Sequence, residues 1–343
     1  MKILIIRGSA IGDIVEDLPV AAALKQLYGG DCQLTWLVKR KFAGIIQGNA
    51  HLDQVLLYED FKDIVFRSSR LMAKRKLVEV ETPAMDRLLS LSKASRLQEY
   101  AFDLVLDLHG TYDSRMYARA TGCQHCLTPA FLKNEEGLYS SLEHRVVENM
   151  EIITQLEPHF PVAEFLQQVD FGWRLGGYAP LAGQDYVVLV LSTTWPSKNY
   201  PPRLWLQVIN QLATSGRKLV FLGGKGDQPI VDYLEPQLQN SHCVNLVGKT
   251  SLQEMLSLLS KAQLVVGGDT GPMHIAASMG VRTLTLMGPT YAGKCAPFGS
   301  LATVLEADCP CRNCHLEHCP NGICCMEYLP PERVVSTMKE LLS

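Results

Sequence analysis

Short runs of β-branched and other apolar residues alternate along this chain with segments of helical periodicity. Successive runs mostly start about 20 to 30 residues apart, the length of one βα unit with short loops. The predicted strands lie at residues 2–7, 34–38, 55–58 and 102–108 and, farther along, at 186–191, 218–222, 243–247, 264–266 and 283–287. This alternation is typical of parallel sheets covered by helices, and it predicts an α/β fold.

The alternation lapses once, around residues 176–180, where the sequence reads Gly-Gly-Tyr-Ala-Pro. A chain of 343 residues has the length of about two domains. We therefore predict two doubly wound lobes in tandem, residues 1–176 and 177–329. A terminal helix is predicted over residues 330–343.

Composition excludes several classes of function. The formal net charge is −3, so the chain as a whole is not a polybasic nucleic-acid binder. The apolar runs fall far short of the ~20 residues that a membrane-spanning helix needs. The apolar run at residues 3–6 is also too short for a signal peptide. A cytoplasmic enzyme is the expectation.

A basic segment interrupts the first half of the chain. Residues 62–76 hold six basic residues against one acidic residue, with apolar residues interleaved. The pattern fits a solvated amphipathic helix, and it also fits a lip that meets an anionic acceptor or a membrane surface. The second interpretation predicts peripheral contact with the inner face of a membrane.

The most informative motif follows the predicted strand at residues 264–266. Two glycines lead into Asp269, Thr270, Gly271 and Pro272 at the start of a helix. Proline in the first turn loses no hydrogen bond, and the free amides of a helix start can hold a phosphate or diphosphate. In the alternative interpretation, Asp269 or Thr270 simply caps the helix. The motif matches neither a Walker loop nor the GxGxxG fingerprint, which argues against a kinase or a nicotinamide dehydrogenase.

Two further loops follow predicted strands, at the sheet edge where α/β folds bind ligands. Asp13 ends a glycine-flanked turn, residues 8–13, and is predicted to be either a general base or a helix cap. Asp17 comes one helical turn later and is expected to face solvent or to be a first-turn charge of the helix. Lys198, in the loop of residues 192–201, either neutralises a phosphate or is an ordinary surface charge.

These motifs resemble the signatures of the glycosyltransferase family 9 heptosyltransferases. The amino-terminal signature is Ser-Ala-Ile-Gly-Asp at residues 9–13 with Leu-Pro-Val at residues 18–20. The carboxyl-lobe signature is Gly-Asp-Thr-Gly-Pro-Met-His-Ile-Ala-Ala at residues 268–277, with Gly-Pro-Thr at residues 288–290. The two signatures occur in the expected order near opposite ends, so the resemblance spans essentially the whole chain.

The resemblance implies the GT-B architecture, in which two Rossmann-like lobes face each other across a cleft and the second lobe holds the nucleotide sugar. It also implies transfer of a heptose from ADP-heptose to a lipopolysaccharide inner-core or lipid A-Kdo-type acceptor. Such transfer inverts the anomeric centre and needs no metal or other cofactor. In GT-B proteins the terminal helix typically packs back on the amino-terminal lobe, which we expect for residues 330–343.

Residue roles follow from the same resemblance. Asp13 is expected to deprotonate the acceptor hydroxyl, and Lys198 is expected to hold the donor diphosphate together with the helix start at Asp269, Thr270 and Gly271. The remaining expected contacts are Asp227 at the nucleotide ribose, where relatives often carry a glutamate, Thr193, Pro272 and His274 on the donor side, and Gly12 and His109 on the acceptor side. His109 can equally be an ordinary loop or core histidine.

Other functions remain open at this point. The same fold can use a different nucleotide sugar or acceptor, and a nucleotide-sugar epimerase can share the two-lobed plan. A binding module without turnover is the third alternative.

A cysteine cluster lies near the end of the chain, with six of the eleven cysteines between residues 309 and 325. Cys311 and Cys314 have the spacing of metal ligands, and Cys319 with Cys324 or Cys325 can complete a tetrahedral site. The cluster predicts either such a structural metal or, alternatively, free thiols or a local disulfide.

Overall fold

The computed structural model describes residues 1–63, 65–67, 83–129, 142–175, 179–212, 216–239, 242–311, 313–322 and 324–343. The chain divides into two compact units, Met1–Arg174 and Leu175–Ser343. The boundary predicted between residues 176 and 177 lies outside the described residues, as does most of the basic segment at residues 62–76.

The first unit is built on one parallel sheet. Its strands are β1 (Lys2–Ile6), β2 (Gln33–Val38), β3 (Gln54–Leu57), β4 (Leu104–Asp107) and β5 (Cys126–Leu127). They lie in the order β3-β2-β1-β4-β5, and each pairs in parallel with its neighbours. The central strands β1 and β4 are covered on both faces, which explains why they read as continuous apolar runs rather than alternating ones.

Helices connect the strands of the first unit. They are α1 (Ile11–Tyr28), α2 (Ala43–Ile46), α3 (Pro83–Ser90), α4 (Tyr112–Ala120), α5 (Arg145–Leu156) and α6 (Val162–Gln167). The long helix α1 packs against α5 and is buried continuously from Ile14 to Leu24.

The second unit repeats the plan with six parallel strands. They are β6 (Tyr186–Val190), β7 (Lys218–Leu222), β8 (Cys243–Asn245), β9 (Leu264–Gly268), β10 (Thr283–Met287) and β11 (Ala302–Glu306). Their order is β11-β10-β9-β6-β7-β8. Sequence analysis located the first five of these strands and missed β11.

The helices of the second unit alternate with these strands. They are α7 (Pro202–Leu212), α8 (Gln228–Leu234), α9 (Leu252–Leu259), α10 (Gly271–Ser278), α11 (Ala292–Cys295) and α12 (Pro331–Leu342). Helix α9 begins with a capping box, in which Ser251 and Glu254 satisfy each other's backbone amides.

The order of strands fixes where ligands can bind in each unit. The sheet order reverses between β1 and β4 in the first unit and between β6 and β9 in the second. In open α/β sheets, such a switch point leaves a crevice at the carboxyl ends of the strands, where ligands bind. The predicted motifs follow β1, β6 and β9, so all three lie at a switch point.

The terminal helix predicted over residues 330–343 is present as α12. Helix α12 belongs to the second unit, where it packs against α7. Its apolar side chains Val334, Val335 and Met338 are buried in the core of that unit. The apolar face of the helix is thus covered within its own unit. Packing of this helix on the amino-terminal lobe stays a prediction.

None of the described helices combines the length and the apolarity that crossing a bilayer requires.

Candidate functional site

The carboxyl ends of β6 and β9 approach each other closely in the second unit. A Cβ added at Gly268, the last residue of β9, would lie 2.8 Å from both the Lys198 carbonyl oxygen and Thr193 Cγ2. Real Cβ atoms do not approach other atoms so closely, so only glycine fits here. The glycine before Asp269 therefore allows the loop after β6 to reach the helix start after β9.

Asp269 is the centre of a buried polar network. Its Oδ2 accepts hydrogen bonds from Lys198 Nζ at 2.6 Å and from Thr290 Oγ1 at 3.1 Å. Its Oδ1 accepts from His274 Nε2 at 3.1 Å. Because a carboxylate only accepts, this contact places a proton on Nε2 of His274. Three segments of the unit thus converge on one carboxylate.

The charges of this network set the ionisation of Asp269. Burial alone would raise the pKa of this carboxyl, but the hydrogen bond from His274 and the charge of Lys198 outweigh burial and lower the pKa to about 2. Asp269 is therefore an anion at neutral pH, and it fixes the Lys198 ammonium group beside the start of α10.

The helix start itself is not capped by a side chain. Thr270 occupies the N-cap position with extended backbone but makes no side-chain cap hydrogen bond. Asp269 turns instead toward Lys198, His274 and Thr290. The interpretation of this motif as an ordinary cap is therefore not supported. Gly271 and Pro272 form the first turn of α10, whose positive dipole end can receive an anion.

Thr193 shapes the loop after β6. Its hydroxyl donates to the Trp195 carbonyl at 2.8 Å, and its backbone amide donates to Asn199 Oδ1 at 2.7 Å. The indole ring of Trp195 lies under Lys198 Nζ, 4.6 Å from the ring centroid to the nitrogen. Thr193 thus holds the loop that presents Lys198, and its predicted donor contact stays a prediction.

Asp227 lies at the neighbouring strand end. Its Oδ1 accepts from Ser192 Oγ at 2.5 Å and its Oδ2 from the Gly224 amide at 2.7 Å. The carboxylate therefore joins the loop after β7 to the end of β6, at the same sheet edge as Asp269. A ribose contact by Asp227 stays a prediction.

The first unit places Asp13 at its own switch point. Asp13 is in the first turn of α1, and its Oδ2 accepts from the Ala10 amide at 2.9 Å. Its side chain is 47% exposed, so the carboxylate also faces solvent. The two interpretations of Asp13 are thus compatible, because a carboxylate that caps a helix can still meet an acceptor hydroxyl. Gly12 precedes it in the same turn and is half-buried.

His109 comes next to this turn from the loop after β4. Its Nδ1 accepts a hydrogen bond from the Gly8 amide at 2.9 Å. Burial, and then the charges of Arg7 and Lys39, lower the pKa of His109 to about 4. The ring is therefore neutral at physiological pH, with its proton on Nε2 as a possible donor to a ligand.

The sequence did not single out Arg7, and the expectation for Asp17 was wrong. Asp17, expected to face solvent, is fully buried and pairs with Arg7. Burial raises the pKa of Asp17 to about 6, against the opposing effect of the Arg7 charge. The signal that could have found this pair is a charged residue at the end of a buried strand, since a buried cation needs a counter-ion.

The cysteine-rich segment lies against the Asp269 network. His315 donates through its amide to the Pro289 carbonyl at 2.8 Å, and Ser197 Oγ donates to the Leu316 carbonyl at 2.7 Å. The segment therefore contacts both loops that carry Lys198 and Thr290. These hydrogen bonds connect the loop after β6 to the loop after β10 through the cysteine-rich segment.

The same segment does not assemble a metal site in the described part of the chain. The Sγ atoms of Cys309 and Cys311 lie 3.5 Å apart, and all eleven cysteines are free thiols. No group of three or more histidine, cysteine, aspartate or glutamate side chains among the described residues is arranged to hold a metal ion. The cysteines present thus do not fit the tetrahedral set that the spacing suggested.

Two Rossmann-like sheets, each with polar residues at its switch point, define a class of fold, the two-lobed GT-B fold. The comparison with known families is more specific. The model of glycosyltransferase family 9 (heptosyltransferase) matches residues 90–324, and the chain belongs to that family.

Individual relatives agree with this assignment. Lipopolysaccharide heptosyltransferase 1 of Pseudomonas aeruginosa is 24% identical over 375 residues, covering 100% of this chain and 98% of that relative. The structure of the Escherichia coli ADP-heptose lipopolysaccharide heptosyltransferase II matches with a TM-score of 0.75 at 17% identity, over 100% and 98% of the two chains. An E. coli heptosyltransferase solved with ADP matches with a TM-score of 0.68 at 21% identity, over 99% and 100%.

These comparisons decide between the open functions. Membership of family 9 makes the chain a glycosyltransferase, so the epimerase and the binding module are set aside. The predicted α/β fold with two Rossmann-like lobes is confirmed.

Proposed function

We propose that this enzyme transfers a heptose from ADP-heptose to a hydroxyl of a lipopolysaccharide inner-core or lipid A-Kdo-type acceptor, with inversion and without a catalytic metal. The observation that carries the proposal is the buried network in which Asp269 holds Lys198 beside the uncapped start of α10. The names of the relatives support ADP-heptose as the donor and lipopolysaccharide as the acceptor.

On the donor side, the reaction must stabilise a departing nucleoside diphosphate. The bond between the anomeric carbon and the diphosphate oxygen breaks, and negative charge grows on the leaving group. Lys198 and the amide of Gly271 at the positive end of the α10 dipole are the groups that meet this charge. Asp269 fixes the position of the ammonium group in advance, so little reorganisation is needed as the charge develops.

On the acceptor side, the attacking hydroxyl must lose a proton. Asp13 takes it as general base while the acceptor oxygen bonds to the anomeric carbon on the face opposite the diphosphate, which inverts that centre. The neutral His109 beside the turn can donate from Nε2 to a second acceptor oxygen. Gly12 keeps the turn free of a side chain where the acceptor enters.

The acceptor is attached to a lipid, so we propose that the enzyme works in the cytoplasm at the inner face of the inner membrane. The basic residues of segment 62–76 are the candidates for this contact. Replacing Arg67, Arg70, Lys74 and Arg75 by glutamine should abolish binding to anionic liposomes, and unchanged binding would remove the membrane contact from the proposal.

The donor assignment is tested by thermal shift with ADP-, UDP- and GDP-sugars, because a ligand that binds the folded state raises the melting temperature. ADP-heptose should give the largest shift, and Lys198→Met should reduce its affinity about 10- to 100-fold, as expected for the loss of one charge-assisted contact. Lys218→Met is the matched control, because Lys218 begins β7 and so lies at the end of the strand away from the predicted ligand site. A larger shift with a UDP- or GDP-sugar would favour the alternative, a different donor on the same fold.

A further inference from the structure

A buried arginine lies between two carboxylates at the switch point of the first unit. Arg7 follows the last residue of β1, and its side chain is 7% exposed. Its Nε donates to Asp17 Oδ2, and its Nη1 lies 4.0 Å from Asp13 Oδ2. Asp13 and Asp17 are one helical turn apart on α1, so both carboxylates lie on one face of the helix. A single guanidinium group therefore contacts both.

This guanidinium group is fixed from several directions. The Arg7 amide donates to the Leu37 carbonyl at 3.2 Å, and the Arg7 carbonyl accepts from Trp36 Nε1 at 3.1 Å. Asp17 is held in turn by Asn149 on α5, whose Nδ2 donates to Asp17 Oδ1 at 2.6 Å. Asn149 is fully buried as well. Neither the backbone nor the charged end of Arg7 can move without breaking buried hydrogen bonds.

We propose that Arg7, Asp17 and Asn149 form a positioning unit for Asp13. The inference rests on the proposed function, in which Asp13 is the general base. A base must stay within hydrogen-bond reach of the acceptor hydroxyl, yet Asp13 is half-exposed and its only other fixed contact in the described structure is the Ala10 amide. The fixed cation restricts the orientation of the carboxylate.

Asp17 has a distinct part in this unit. A lone buried guanidinium beside Asp13 would hold that carboxylate in a tight ion pair and weaken it as a proton acceptor. Asp17 takes the closer contacts and neutralises most of the cation, so Arg7 orients Asp13 without engaging it fully. Asn149 fixes Asp17 through an uncharged hydrogen bond. The three residues are positioning residues, since none of them is proposed to touch the substrate.

The test removes both buried charges together, since removing one alone leaves its partner unpaired in the interior. In Arg7→Met/Asp17→Asn, kcat for heptosyl transfer should fall about 10- to 100-fold, as expected when a base is misplaced. The KM for ADP-heptose and the Kd for ADP should change by less than about twofold, because the donor residues belong to the second unit. Lys25→Met, which breaks the ion pair with Asp53 at the opposite end of the same sheet, should leave kcat unchanged.

The decisive readout is a double-mutant cycle with Asp13→Asn. If the positioning unit acts through Asp13, adding Arg7→Met/Asp17→Asn to Asp13→Asn should lower kcat by less than about threefold further. The carboxylate that the unit positions is already absent from that background. An equal loss of kcat in both backgrounds would overturn the positioning role and leave the proposed function intact. If Asp13→Asn alone retains parental transfer, the proposed base is wrong instead, and the positioning unit falls with it.

Discussion

The ionised Asp269 carboxylate should contribute measurably to the stability of the second unit. The pKa of this group falls from the ordinary value of 3.8 to about 2 in the folded protein. At about 1.4 kcal/mol per pKa unit, the preference for the anion over the protonated acid is about 2 kcal/mol greater in the folded state than in the unfolded chain. Asn resembles the protonated acid in size and charge, so Asp269→Asn should lower the free energy of unfolding by about 2 kcal/mol at pH 7.

The pH dependence follows from the same shift. A carboxyl whose folded pKa is depressed contributes stability above its unfolded pKa and loses it as the pH falls through the folded value. The difference between the parent and Asp269→Asn should therefore be full at pH 5 to 7 and shrink as the pH falls from about 4 to about 2.

Urea unfolding followed by circular dichroism measures this difference at each pH. Thr290→Val serves as a graded comparison, since it removes one hydrogen bond to Asp269 and should cost about 1 kcal/mol without altering the pH profile at neutral pH. Equal stability of the parent and Asp269→Asn at pH 7, or a difference that persists undiminished at pH 2, would refute the assignment of a stabilised anion.

Two further predictions concern the surroundings of the same network. Gly268→Ala places a methyl group 2.8 Å from the Lys198 carbonyl oxygen and Thr193 Cγ2. We expect the free energy of unfolding in urea to fall by about 1–3 kcal/mol, and ADP binding to weaken by calorimetry. Parental stability would contradict the close approach. Burial raises the pKa of Cys325 to about 12, so alkylation with iodoacetamide at pH 8, followed by peptide mass spectrometry, should modify Cys325 at least about 100-fold more slowly than an ordinary exposed thiol. Modification of Cys325 in the first minutes would contradict its buried state.

The fold was predictable from sequence because each βα unit carries its own local signals. The strands at the centre of each sheet are continuous apolar runs, and the glycine-containing turns after β1 and β9 mark their carboxyl ends. These local patterns do not determine the order of the strands in the sheet. The placement of the motifs at the ligand-binding edge of each sheet came from the general behaviour of α/β folds. That this edge coincides with a switch point is known only from the strand order of the structure.

The burial of Asp17 could not be predicted from the local sequence. Asp17 was expected at the surface because charged residues usually are, but α1 is covered on all sides from Ile14 to Leu24. Its burial depends on Arg7 and Asn149, which are far from it in sequence or on another element. Helix α12 was predictable as an amphipathic helix, but its packing against α7 depends on tertiary contacts that the local sequence does not specify.

The polar network around Asp269 was predictable in part. The residue types at positions 269–272 indicated an anion site, and the resemblance named Lys198 and His274. The convergence of Lys198, His274 and Thr290 on one carboxylate depends on pairing between β6, β9 and β10, which the sequence alone does not specify. The same holds for the cysteine-rich segment, whose contacts with the loops that carry Lys198 and Thr290 could not be predicted from the cysteine spacing.

The central claim, that Asp13 activates the acceptor while the second unit holds the donor, is tested most directly by Asp13→Asn with ADP-heptose and a lipid A-Kdo acceptor. Isothermal calorimetry should give an ADP-heptose Kd within about twofold of the parent, while single-turnover transfer falls by about 10²- to 10⁴-fold, the range for loss of a general base. Transfer within tenfold of the parent, with the fold and donor affinity intact, would contradict the account.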